Sequence, residues 1–142
     1  MMEMKELYNY RNKWFVLYHK DLYHENPELI GFRDIEEWEK IKKGDLLVYY
    51  QSGNRKIMGI YEVIDSGKNI DPDFGTKHTN RFVKGELRHQ HKLKLILGLH
   101  TKFDTSRAEK LSFHTGLRNP VRWDNKRVFG PINNSDLDVI LK

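Results

Sequence analysis

Between Asp45 and Ile64 the chain reads DLLVYYQ, then Ser52-Gly53-Asn54-Arg55, then KIMGIYEVI, and no other segment constrains the fold as strongly. Both runs are rich in β-branched and aromatic residues, and Gly53 and Asn54 between them tolerate positive φ, so the segment predicts a β-hairpin. The remaining pattern surrounds that hairpin with short elements. Trp14 to His19 (WFVLYH) has strand composition, and HKDLYHENPELIGF after it, with Asn26-Pro27 and Gly31, predicts an irregular crossing. Asp34 can cap a helix over DIEEWEKIKK, with Glu37 at capping-box spacing and Ile35, Trp38 and Ile41 on one face.

Downstream, Lys68 to Lys77 has loop composition, while RFVKGELRH (81–89) and HKLKLILG (91–98) predict two more strands, the second with Leu93, Leu95 and Leu97 on a buried face. A short helix is expected within Asp104 to Leu111. A closing helix capped by Asn134 or Ser135 should pack Leu137, Ile140 and Leu141 on the sheet. Many short strands and few helices predict an α+β fold, a small twisted or barrel-like mixed sheet flanked by short helices.

At 142 residues the chain suits one domain, residues 1–142, and is too short for two ordinary ones. It has no cysteine, which removes disulfides, thiolate metal sites and cysteine nucleophiles together. Its longest apolar runs, such as Leu93 to Leu99, are far shorter than a membrane span, and the N-terminal MMEMKELYNYRNK lacks an apolar signal core. A cytoplasmic location with no membrane partner is the expectation. Charge is unevenly spread: residues 1–67 hold 10 Lys/Arg against 12 Asp/Glu, whereas residues 68–142 hold 15 against 8. A net +7 in the second half suits a polyanionic partner, and equally a solvated basic surface.

Three segments in order resemble one family. WFVLYH followed by Gly31-Phe32-Arg33 is similar to the first strand and pocket loop of the EVE and YTH domains, the base-reading branch of the PUA-like superfamily. IKKGDLLVYYQSGNRKIMGIYEV (41–63) resembles the EVE hairpin, and FVKGELRHQHKLKLIL with NPVRWDNKRVFGPINNSDLDVI resembles the later strands and closing segment. The resemblance implies a PUA-like fold and a pocket for one base, usually modified, flipped from DNA or RNA. By position it implies a site at Phe32, at Tyr18, His19 and Lys20, and at Tyr50, Gln51 and Ser52. Phe32 stands where tryptophan is commoner, and Tyr18-His19 replaces the more usual Lys-Ser, so the base itself stays open.

A base offers two π faces and a polar edge. Extruding it costs a few kcal/mol and each stacking contact returns ~1–3 kcal/mol, so two aromatic walls are needed. Phe32, Tyr50 and Trp123 are the candidate walls, with Gln51, Ser52, His19 and Tyr18 beside them. Trp123 is the aromatic least suited to a core, because its neighbours are Arg122, Asp124, Asn125, Lys126 and Arg127. Candidate phosphate contacts are Lys20, Lys84, Arg88, Arg118, Arg122, Lys126 and Arg127.

His78, His89, His91 and His114 carry the rival reading, a small nuclease or hydrolase. His89-x-His91 places two imidazoles on one strand face without a third ligand at useful spacing, and Asp71 and Asp73 fall in a loop. Nucleophile elbow, Walker loop and dinucleotide fingerprint are all absent from the sequence. The expectation is a binding module without metal, cofactor or catalytic residue; a protein-interaction module with an incidental basic face is the third reading.

Overall fold

The computed structural model describes residues 4–18, 28–51, 55–76, 83–112, 128–129 and 131–142. In chain order the elements are α1 (Met4–Tyr8), β1 (Lys13–Tyr18), β2 (Leu29–Phe32), α2 (Ile35–Lys40), β3 (Leu46–Gln51), β4 (Lys56–Lys68), β5 (His89–Lys102), α3 (Thr105–Ala108), β6 (Val128–Phe129) and α4 (Asn134–Leu141). Six strands form one sheet in the order β2-β5-β4-β3-β1-β6. β1 and β3 run parallel, and every other neighbouring pair is antiparallel. The expected mixed sheet with short helices is what the chain forms.

The hairpin of β3 and β4 is present, and β4 continues past it to Lys68 against β5. All six residues of β3 are buried, because the sheet is covered on both faces. Leu47 and Tyr49 join a cluster with Val16, Tyr61, Val63, Leu93, β2, Phe74 and Leu87. Leu46, Val48 and Tyr50 join a second cluster with Phe15, Ile57, Ile60 and Phe103, closed by Leu7 of α1, Ala108 of α3 and Leu137 and Ile140 of α4. Asp45 ties this framework together: its Oδ2 accepts the Trp14 indole N–H at 2.8 Å and the Lys42 backbone N–H at 2.8 Å. The carboxylate thus links the crossover to β1 at the point where the parallel pair begins.

Five expectations are corrected. Leu29–Phe32 is a strand on the β5 edge, not an irregular crossing; buried on both faces, its LIGF run shows no alternation. Within the expected strand 81–89, residues 83–88 form a turn: Gly85 has φ +81°, the Glu86 N–H donates to the Val83 carbonyl at 3.0 Å, and the Val83 N–H donates to the Glu86 carboxylate at 3.0 Å. Leu95 is 46% exposed, although it stands opposite Tyr61 in unbroken register with Leu93. Ile35, in the first turn of α2, is also exposed, leaving Trp38 and Ile41 to pack. The closing helix is as expected but is capped one residue earlier, by Asn133 in a capping box with Asp136.

Candidate functional site

Parallel pairing of β1 and β3 sets Tyr18 opposite Gln51, so both strands end at the same end of the sheet. β6 runs antiparallel to β1 with Phe129 opposite Phe15 and Val128 opposite Val16; its Val128 therefore lies toward that same end. Here the hairpin also turns back, with Lys56 opposite both Gln51 and Lys102. Three segments far apart in sequence, ending at Tyr18, ending at Gln51 and beginning at Val128, are brought to one place by the topology. Arg55, Lys56 and Lys102 add three exposed cations there. Sequence reasoning passed over these three, although Arg55 follows directly on the hairpin turn that had drawn attention.

The candidate walls divide. Phe32 is fully buried in the cluster containing Tyr49, with its ring edge-on to His91 at 6.0 Å. Tyr50 is buried in the other cluster, stacked on Phe15 at 5.7 Å and edge-on to Phe103 at 6.2 Å. Burial pushes the Tyr50 phenol up to about 12 against the opposing pull of Arg55. Phe32 and Tyr50 thus serve two different cores, and they cannot face each other across one base. The error has a physical source: in a sheet covered on both sides an aromatic residue is as much at home in the core as in a pocket. Gln51 is buried at the sheet end. His19, Lys20, Ser52, Arg118, Arg122, Trp123, Lys126 and Arg127 lie outside the described residues, as does the side chain of Tyr18.

Lys84 and Arg88 belong to the opposite end of the sheet. They line an open cleft of about 640 Å³ together with Arg33, Lys68, Asn69 and Glu86. β4 spans thirteen residues from Lys56 to Lys68, a contour of up to about 40 Å at ~3.3 Å per residue. Lys84 and Arg88 thus lie far along β4 from the Tyr18 and Gln51 end.

The histidine pair has a structural explanation. His91 is 1% exposed and stacks on Trp38 at 5.5 Å and 20°. Its Nε2 lies 3.0 Å from the Trp38 carbonyl, which can only accept, so Nε2 carries the proton and Nδ1 accepts the Ser66 hydroxyl at 2.6 Å. Both nitrogens are engaged. Burial holds the imidazole down at about 4, opposed by the bond to the Trp38 carbonyl and by Asp45. His89 packs on the same indole at 5.7 Å, so the two do share a face, but that face belongs to α2. Among the described residues no three His, Asp or Glu side chains converge as a metal site would require.

A family model for the EVE domain matches residues 28–142, from β2 to the end of α4. The chain belongs to the EVE-domain family. Solved structures agree on the fold: this EVE domain is similar to a Pseudomonas syringae protein (TM-score 0.56, 15% identity, 91% of this chain and 97% of that chain). A hypothetical protein of Leishmania major is similar at TM-score 0.55 and 16% identity, covering 92% of both chains. So is a YTH domain of Zygosaccharomyces rouxii, solved in complex with N6-methyladenosine RNA, at TM-score 0.52 and 13% identity over 92% of this chain and 86% of that one. No curated protein matches. The architecture is thus the PUA-like α+β fold of the EVE and YTH domains.

Proposed function

We propose that this EVE domain binds nucleic acid, DNA or RNA, and holds a single, modified base at the sheet end where β1 and β3 terminate. The observation that carries this reading is the convergence there of Tyr18, Gln51 and the start of β6, the first two in segments that the family resemblance assigns to the pocket and the third following the segment that carries Trp123. The shared fold with a YTH domain solved on N6-methyladenosine RNA supports the ligand class. Exposed Arg55, Lys56 and Lys102 at the same end supply charge for flanking phosphates. With Phe32 and Tyr50 committed to the cores, Trp123 becomes the principal wall. The reading is of binding rather than catalysis, because His91, 1% exposed and stacked beneath Trp38, is shut off from contact with a substrate.

A panel of modified nucleosides, N6-methyladenosine among them, and short single-stranded oligonucleotides, titrated by tryptophan fluorescence and anisotropy, tests this. Trp123→Ala should weaken binding of the preferred base by ~1–3 kcal/mol, with much less effect on an oligonucleotide that lacks it. Arg122→Ala should weaken both alike and lower the salt slope by about one. A folded Trp123→Ala protein that retains both affinity and preference refutes the pocket at that residue.

A further inference from the structure

The charge on β5 is not uniform. In mid-strand, Lys92 stands opposite Asp65 and Lys94 opposite Glu62, so each cation has an acid across the ladder. At the end of the sheet the compensation stops. Lys68 and Arg88 are exposed, and among the described residues neither has an acidic partner. Arg33 is bonded to Glu86 at 2.8 Å, and that carboxylate also accepts the Val83 N–H at 3.0 Å, so Glu86 is spent on fastening the turn. Lys84 has only a loose, exposed contact with Asp73, at 3.7 Å. Four cations thus line one open cleft with a single acid among them. The turn is held on its other side as well, by the Asn69 N–H donating to the Arg88 carbonyl at 2.8 Å, so the cations stand on a fixed framework. His89, beside the cleft, senses this field: its imidazole is held below the usual histidine range by burial first, then by Arg88 and Lys68, against a small opposing effect of Glu39.

We propose that the cleft of Arg33, Lys68, Lys84 and Arg88 is a second binding site, which takes the phosphodiester backbone of a single strand whose base is held at the far end of β4. The inference rests on the nucleic-acid reading above and extends it: the domain grips a strand at two places and reads it at one. Successive phosphates suit the cleft because its cations are spread over an open surface, with Lys68, Lys84, Arg88 and Arg33 all exposed. The contour of β4, up to about 40 Å, corresponds to roughly 12 nucleotides if the strand stacks at ~3.4 Å each as in a duplex, and to about half as many if it is fully extended. A strand much shorter than this can occupy only one site.

The test compares a fluorescein-labelled single-stranded 16-mer with a 3-mer, both carrying the base preferred by the wild-type protein, or unmodified adenine if none is preferred. The proteins are wild type, the double variant Lys68→Gln with Arg88→Gln, and Trp123→Ala, each shown to be folded by its melting temperature. The cleft variant should lose roughly tenfold in affinity for the 16-mer, with a salt slope reduced by about 1.4, and less than twofold for the 3-mer. By NMR, the 16-mer should raise the His89 titration midpoint in the wild type. Unchanged 16-mer affinity in the cleft variant, equal losses for both lengths, or equally tight and equally variant-sensitive binding of polyglutamate would each overturn the proposal. Inorganic phosphate shifting His89 while the 16-mer does not would overturn it too, by showing a small-anion site. Trp123→Ala keeps the two readings apart: if it is silent while the cleft variant acts, the pocket assignment fails and the cleft stands.

Discussion

His91 illustrates what a single polar residue costs and contributes when a strand carries it beneath a helix. Buried between Trp38 and Phe32 with both nitrogens satisfied, it stays neutral in the folded protein down to about pH 4. In the unfolded chain it takes up a proton as pH falls through about 6.5. The unfolded state thus binds more protons between these values, and the sign follows: the stabilisation is complete above pH 6.5 and is lost progressively down to about pH 4. The difference corresponds to roughly 3 kcal/mol. Urea unfolding of the wild type from pH 7 to 4, compared with His91→Gln, should show a steeper loss in the wild type. Parallel curves would mean that His91 takes up its proton at the same pH in the fold as in the unfolded chain. Sequence alone showed two histidines two apart on one strand, which is correct; that the shared face belongs to Trp38 depends on how α2 packs, a contact made 53 residues away.

At the scale of elements, β2 lies against the 83–88 turn so closely that Gly31 has no room for a side chain. A Cβ there would meet the Leu87 carbonyl oxygen at 2.6 Å and the Leu87 Cβ at 2.8 Å. Gly31→Ala should therefore destabilise by about 1–3 kcal/mol in chemical denaturation, through displacement of β2 or of the turn. A change below about 0.5 kcal/mol would contradict the close approach. These two elements were also the ones the sequence concealed. LIGF is four residues long and buried on both faces, so it lacks the alternation that reveals a half-exposed strand. Residues 81–89 have the composition of a strand, and only the positive φ at Gly85 makes 83–88 a turn. The β3–β4 hairpin was legible because it is local, with strong strand formers bounded by turn residues. For the candidate site, the strand ends at Tyr18 and Gln51 were each visible, whereas their adjacency comes from a parallel pairing across 33 residues of chain that no local pattern encodes. The cores that claim Phe32 and Tyr50 were invisible for the same reason.

For the molecule as a whole, the long β4 keeps two basic regions apart, and that separation has an energetic signature. Sites more than about 10 Å apart with no shared partner contribute additively within ~0.3–0.5 kcal/mol. Combining Trp123→Ala with Arg88→Ala should accordingly weaken 16-mer binding by the sum of the two single effects. A coupling above 1 kcal/mol would place both residues in one site. The sheet order also bears on how the molecule comes to be built. β3, β4 and β5 follow one another as antiparallel neighbours, while β1 reaches β3 only in parallel, after β2 and α2 have been spanned. Closing such a loop is entropically dearer than zipping a meander. The end of the sheet assigned to recognition exists only once that parallel pairing has formed, and an incompletely folded chain would present basic segments with no pocket to give them selectivity.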